Sequence, residues 1–329
     1  MKKKLFLIGS FLLGIVLFLL VLFGSGISNI VGILNRISLK YIGLFFLVSI
    51  FILVGRVLKW WIIIKTKNIN ISFLRLFVYK LSGLAISFLT PVAFLGGGIA
   101  TSYLLIDDGI KSHLATSSVV LDKSIALVAN TLFTLIGTIV LLAHFAMPNN
   151  TRLFVMIVPL FLLIIVYLLY KKILSGKSFI FPLVNCLRLN KSKIINKYRN
   201  EIKKSEKEIT LFFIKYKKEA FLSSMVSLVA WGLMFLEFKF VLLAMGYQVK
   251  WVTIFSMIAI TGIAYMIPIP AALGALEGGQ ASLFSLIGMG AGVGAVTGII
   301  IRVRDLLWTF IGLTYLAFRG LEITKKLTK

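Results

Sequence analysis

Apolar runs of about 18 residues or more, parted by short polar or basic segments, recur along the chain. As α-helices, runs of that length cross a hydrocarbon layer of ~30 Å, and they lack the alternation of barrel strands. The pattern predicts an all-α polytopic membrane protein with about six spanning helices, near 5–23, 41–64, 114–143, 153–170, 221–245 and 293–318. Two further apolar stretches are broken in the middle, one by TPVAFLGGG and the other by MIPIPAALGALEGG.

Charge position orders these elements. Lys and Arg collect at the N-terminus, along 65–80, across 171–218 and in the tail, and such clusters mark the cytoplasmic side. With both termini cytoplasmic, each broken stretch has to enter and leave on one face. The expectation is two oppositely oriented re-entrant helical hairpins, an inverted-repeat-like arrangement in which broken helices line a site. Irregular backbone at depth is tolerated where protein buries it or water reaches it. The breaks are assigned to Pro91, Gly96 and Gly97 in the first hairpin, and to Pro268, Pro270 and Gly274 in the second. The segment SNIVGILNRISLK reads as an outer amphipathic piece, and Trp60 and Trp61 as interfacial anchors. The whole chain, 1–329, is read as a single transmembrane domain containing a basic cytoplasmic loop at 171–218.

Composition supports this reading: 59% of residues are apolar, 14% are charged, and the net charge is +25. With no nucleic-acid motif beside it, the positive charge reads as a topology signal. The single Cys186 cannot form an intramolecular disulfide.

Ionisable residues inside spans are costly and therefore mark candidate sites. Glu277 stands beside the Pro-Ile-Pro break, where it can bind a headgroup or simply cap freed amides. Arg302 and Asp305 are three apart and can meet on one helix face, with Arg304 pointing elsewhere. Asp122 and Lys123 fall early in a span and read as interfacial. Arg56, low in its span, reads as snorkelling or as part of the cavity. Glu237 and Lys239 cannot share a face and form no obvious site. His113 and His144 fall on opposite sides of the membrane. The sequence holds no metal-ligand cluster, nucleotide loop or catalytic triad pattern, so no cofactor and no enzymatic activity are expected.

The Thr-Pro…Gly-Gly tip, VVLDKSIAL, and PIPAALGALEGG followed by a span bearing Arg302 together resemble one family. It is the transmembrane flippase region of lysylphosphatidylglycerol synthases and its free-standing relatives. Pro268, Pro270, Gly274 and Glu277 match that family's second-hairpin pattern, while Ala271 stands where a glycine is usual. The first hairpin reads Gly96-Gly97-Gly98-Ile99, without the Glu-Pro and following Arg of many members. The resemblance implies movement of lipids between leaflets of the cell membrane, without the family's separate synthase domain. The expected partners are membrane lipids, either anionic phospholipid or lipid-linked sugar, with no nucleic acid. The alternatives are an accessory protein that docks a glycosyltransferase or lipid synthase through the basic loop, or an integral lipid-modifying enzyme.

Overall fold

The computed structural model describes residues 2–90, 95–182, 198–267 and 269–327. Pro91, Pro268, and the part of the basic loop containing Cys186 lie outside the described residues. Among the described residues all regular structure is helical, as an apolar chain with few turn signals requires.

The N-terminal half contains α1 (Lys2–Gly24), α2 (Ile27–Leu34), α3 (Leu39–Lys65), α4 (Phe73–Leu89), α5 (Leu95–Asp107), α6 (Ser112–His144) and α7 (Asn149–Leu174). The C-terminal half contains α8 (Arg199–Lys215), α9 (Lys217–Ala244), α10 (Trp251–Ala264), a single turn at Pro270–Ala272, α11 (Ala275–Leu286) and α12 (Ala291–Leu327). Four helices, α3, α6, α7 and α9, are long and apolar enough to cross a bilayer. A fifth qualifies if Gly9–Gly24 and Ile27–Leu34, bent 81° at their junction, form one span. The last expected span lies in α12, which carries Arg302, Arg304 and Asp305 near its middle. The short apolar piece expected after the second break begins earlier than the hydropathy implied, so Glu277 falls in the first turn of α11.

Large apolar side chains remain outside. In α7 only 17% of the most apolar window is buried, and Phe154, Ile157, Phe161, Ile164 and Leu168 face outward. On a soluble protein such a patch would be an interaction site; on this chain it is the face presented to lipid.

The body is built from close helix pairs. α9 packs along α3, α10 along α6, and α12 along both α11 and α4. The first broken stretch is an antiparallel hairpin: Gly96 lies against Thr90, Gly97 against Ser87, and Gly83 against Thr101. A Cβ on Gly97 would overlap the Gly83 carbonyl oxygen, so glycine there is what lets the two backbones approach. The end of α4 then packs on the Pro270–Ala272 turn, bringing the two breaks together.

Helix α8 folds back beneath α6 and α7. Ile209 and Phe212 are buried against Ile63, Leu121 and Ile173. Glu206 accepts hydrogen bonds from the Ser178 hydroxyl and from the amides of Phe179 and Ile180, at 2.7–2.9 Å. Lys67 in the α3–α4 loop bonds Glu208 at 3.3 Å; burial lowers its pKa and the carboxylate opposes that shift. Glu201 bonds Lys204 and His113, and these contacts hold its carboxyl below the usual glutamate value. The Arg199–Lys215 part of the basic loop is thus a fitted helix.

Candidate functional site

At the second break the chain leaves α10 and passes through a turn in which Ala271 and Ala272 have φ of +57° and +49°. Left-handed geometry is unfavourable for residues with a Cβ and persists where surrounding contacts enforce it. Gly274, at φ +76°, follows, and α11 begins. Here the carboxylate of Glu277, fully buried, is divided between two tasks. Its Oε2 accepts the Gly274 amide at 2.8 Å, which caps the helix. Its Oε1 accepts from Arg302 Nε at 3.0 Å and Nη2 at 2.6 Å. Arg302 Nη1 also donates to the Ala271 carbonyl, and its guanidinium lies 5.6 Å from the centre of the Phe88 ring. One arginine on α12 therefore grips the break, the cap of α11 and the end of α4. Gly298 makes room, since a Cβ there would come within 2.7 Å of Glu277 Cγ.

Below this pair is a second cluster. Arg304 donates to Glu237 at 2.5 Å and to Asp305 at 2.8 and 3.0 Å, and the Tyr265 hydroxyl donates to Asp305 at 3.0 Å. Arg56 has Arg304, Glu237, Tyr265 and Asp305 as its electrostatic neighbours. The expected pairing is corrected here: Arg302 goes to Glu277, and Asp305 goes to Arg304. Glu277, facing from α11, takes two bonds from Arg302, while Arg304 bridges Glu237 on α9 and its own neighbour Asp305. Glu237, set aside in the sequence, is a partner in this cluster and is 1% exposed.

A third cluster surrounds Asp122. Its Oδ1 is 3.0 Å from Lys59 Nζ, which donates to the Asp122 main-chain oxygen at 2.7 Å, and its Oδ2 accepts from Lys80. Lys123 lines the same narrow cavity, with Trp60, Gly83, Leu84, Thr101 and Val119. Asp122 and Lys80 are buried, and the mutual ion pairs are what allow their burial. Trp60 is also buried, with Nε1 donating to Ser118 at 3.4 Å. The Lys65 ammonium stands 3.4 Å from the centre of the Trp61 ring.

Of the sequence candidates, the structure brings Glu277, Arg302, Pro270 and Gly274 into one site. It puts Arg56 and Asp305 in the adjoining cluster and Asp122 and Lys123 in the third. Gly96 and Gly97 serve hairpin packing. His113 and His144 stand at opposite ends of α6, the first bonded to Glu201 and the second edge-on to Trp251. Among the described residues no group of three or more His, Cys, Asp or Glu is placed to hold a metal ion. Lys59, Lys80, Arg304 and Tyr265 were missed. A count of carboxylates against cations in the apolar stretches would have pointed to the first three.

A chain of apolar helices long enough to span a bilayer, joined inside by ion pairs, is a polytopic membrane protein with a polar interior. Comparison with known families makes this specific: residues 7–312 match the family described as Lysylphosphatidylglycerol synthase TM region. The chain belongs to that family. No curated protein and no solved structure matches it.

Proposed function

We propose that this protein is a lipid translocase of the cell membrane, moving phospholipid or lipid-linked headgroups between leaflets without chemical modification. The observation that carries the reading is the Glu277–Arg302 pair at a backbone break, set among outward-facing apolar helices. A headgroup needs polar contacts through the hydrocarbon layer while its tails stay in lipid. A row of ion pairs beside two breaks offers such contacts, and each pair can exchange its partner for a headgroup charge. In this reading the chain has six spans, cytoplasmic termini and two oppositely oriented re-entrant hairpins. Its partners are membrane lipids. The fitted position of α8 supports the basic loop as part of this body, ahead of a free docking arm for a synthase or glycosyltransferase.

The test is dithionite quenching of headgroup-labelled lipid in liposomes bearing the purified protein. Wild type should expose inner-leaflet lipid, and Glu277→Gln should not. Silence of wild type across anionic, zwitterionic and glycosylated lipids would overturn the reading.

A further inference from the structure

The three clusters differ in charge balance. Glu277 and Arg302 cancel. Glu237 and Asp305 cancel Arg304 and Arg56. Around Asp122 one carboxylate faces three ammonium groups, those of Lys59, Lys80 and Lys123. Lys123 has no hydrogen-bond or ion-pair partner among the described residues, yet it lines a cavity with Asp122 and Lys80, while Lys59, outside that lining, is paired to Asp122. A surplus of two positive charges between apolar helices is expensive, and an anion joining them relieves it without loss of a lysine proton.

We propose that Lys59, Lys80 and Lys123 form an oxyanion site for phosphate, and that it prefers a phosphate monoester to a diester. Charge sets the preference: a monoester carries about −1.5 to −2 near neutral pH, matching the surplus, whereas a diester carries a single negative charge. Lysine, a compact charge with three donors, suits a phosphate whose orientation is otherwise free.

The cavity has about 10 Å³, room for one oxygen-sized atom. Its walls come from α3, α4, α5 and α6, so admitting a whole phosphate requires the α4–α5 hairpin to part from α6. The source of the phosphate is either a lipid headgroup or a soluble ion. Only the lipid case rests on the translocation reading.

The experiment uses the full chain in detergent. Inorganic phosphate, dioctanoyl phosphatidic acid, dioctanoyl phosphatidylglycerol and dioctanoyl phosphatidylcholine are titrated separately, followed by tryptophan fluorescence and thermal shift. Trp60 is a built-in reporter, with its ring 5.7 Å from the Lys80 ammonium. Phosphatidic acid should bind at least about tenfold tighter than phosphatidylglycerol, the size of one charge-assisted bond. Lys123→Met should remove that preference, and Lys123→Arg should retain it. Equal binding of monoester and diester by wild type overturns the proposal, whether or not the variants fold. So does a Lys123→Met protein that binds phosphatidic acid like wild type. Binding of inorganic phosphate without phosphatidic acid upholds the site and assigns it a soluble ligand. Wild type that binds phosphatidic acid but exposes no lipid in liposomes upholds the site and defeats translocation. Lipid exposure that depends on Glu277 but not on Lys123, with no monoester preference, does the reverse.

Discussion

Arg302 and Glu277, on helices α12 and α11, share a two-pronged contact through a single carboxylate oxygen, and the other oxygen caps α11. Removing the carboxylate charge strands a buried guanidinium. Breaking a buried pair from one side costs about 3–5 kcal/mol. Glu277→Gln should therefore melt well below wild type. The double variant Glu277→Gln/Arg302→Met, which leaves no unpaired charge, should recover much of the loss. Thermal unfolding in detergent checks the order; a double variant no better than the single would remove the ion pair as the cause. Both should remain inactive in lipid exposure, which separates stability from transport.

Ala271 is held at φ +57° while its carbonyl accepts Arg302. Left-handed geometry costs a residue with a Cβ about 1–2 kcal/mol, and glycine escapes it. Glycine also loses more freedom on folding, by about 0.4–1 kcal/mol. Ala271→Gly should therefore stabilise modestly, by up to about 1 kcal/mol, seen as a higher melting temperature. A clear loss would mean that the turn is not left-handed in solution.

Gly97 and Gly98 are adjacent in sequence but meet different surroundings. A Cβ on Gly97 would collide with the Gly83 carbonyl and the Ser87 hydroxyl, while one on Gly98 would meet only Val119 Cγ1, at 3.6 Å. Gly97→Ala should cost about 1–3 kcal/mol through forced separation of α4 and α5. Gly98→Ala should be neutral or slightly stabilising, because alanine favours the helix by about 1 kcal/mol. Comparing the two melting curves checks the hairpin register directly.

Glu201 ties α8 to His113 on α6, and its folded pKa is lowered. A carboxyl with a depressed folded pKa contributes stability that is complete above its unfolded value, about 4.3. That contribution is lost as pH falls through the folded value. Amide exchange in α8 should accelerate on acidification through that window, relative to α6. Glu201→Gln should weaken this pH dependence.

Hydropathy made the long helices legible, because α3, α6, α7 and α9 owe their length to uninterrupted apolar sequence and end where Lys or polar turns begin. The second break was legible for the same reason: prolines and glycines inside an apolar stretch have few other uses. Partner choice was not legible. Arg302 and Asp305 looked like neighbours because spacing on one helix is all that sequence offers. Their actual partners stand on α11 and next in sequence, fixed by how α12 rotates against α9 and α11. Trp60 reads as interfacial because aromatic residues usually mark a membrane boundary, and Lys59 beside it gave no signal. The burial of Lys59 and Lys80 depends on Asp122, far along the chain, whose carboxylate makes an interior place for two ammonium groups.

Helix α1 lies across the second break: Gly14 sits against Ile269 and Leu273, and a Cβ on Gly274 would strike Leu17. α1 is thus held by residues far along the chain, and until they are in place its glycine notch has nothing to fill it. A contact between distant parts of a chain is entropically slow to form, so this docking comes late in assembly. A truncated chain lacking α11 should leave α1 inserted but undocked, accessible to membrane quality control.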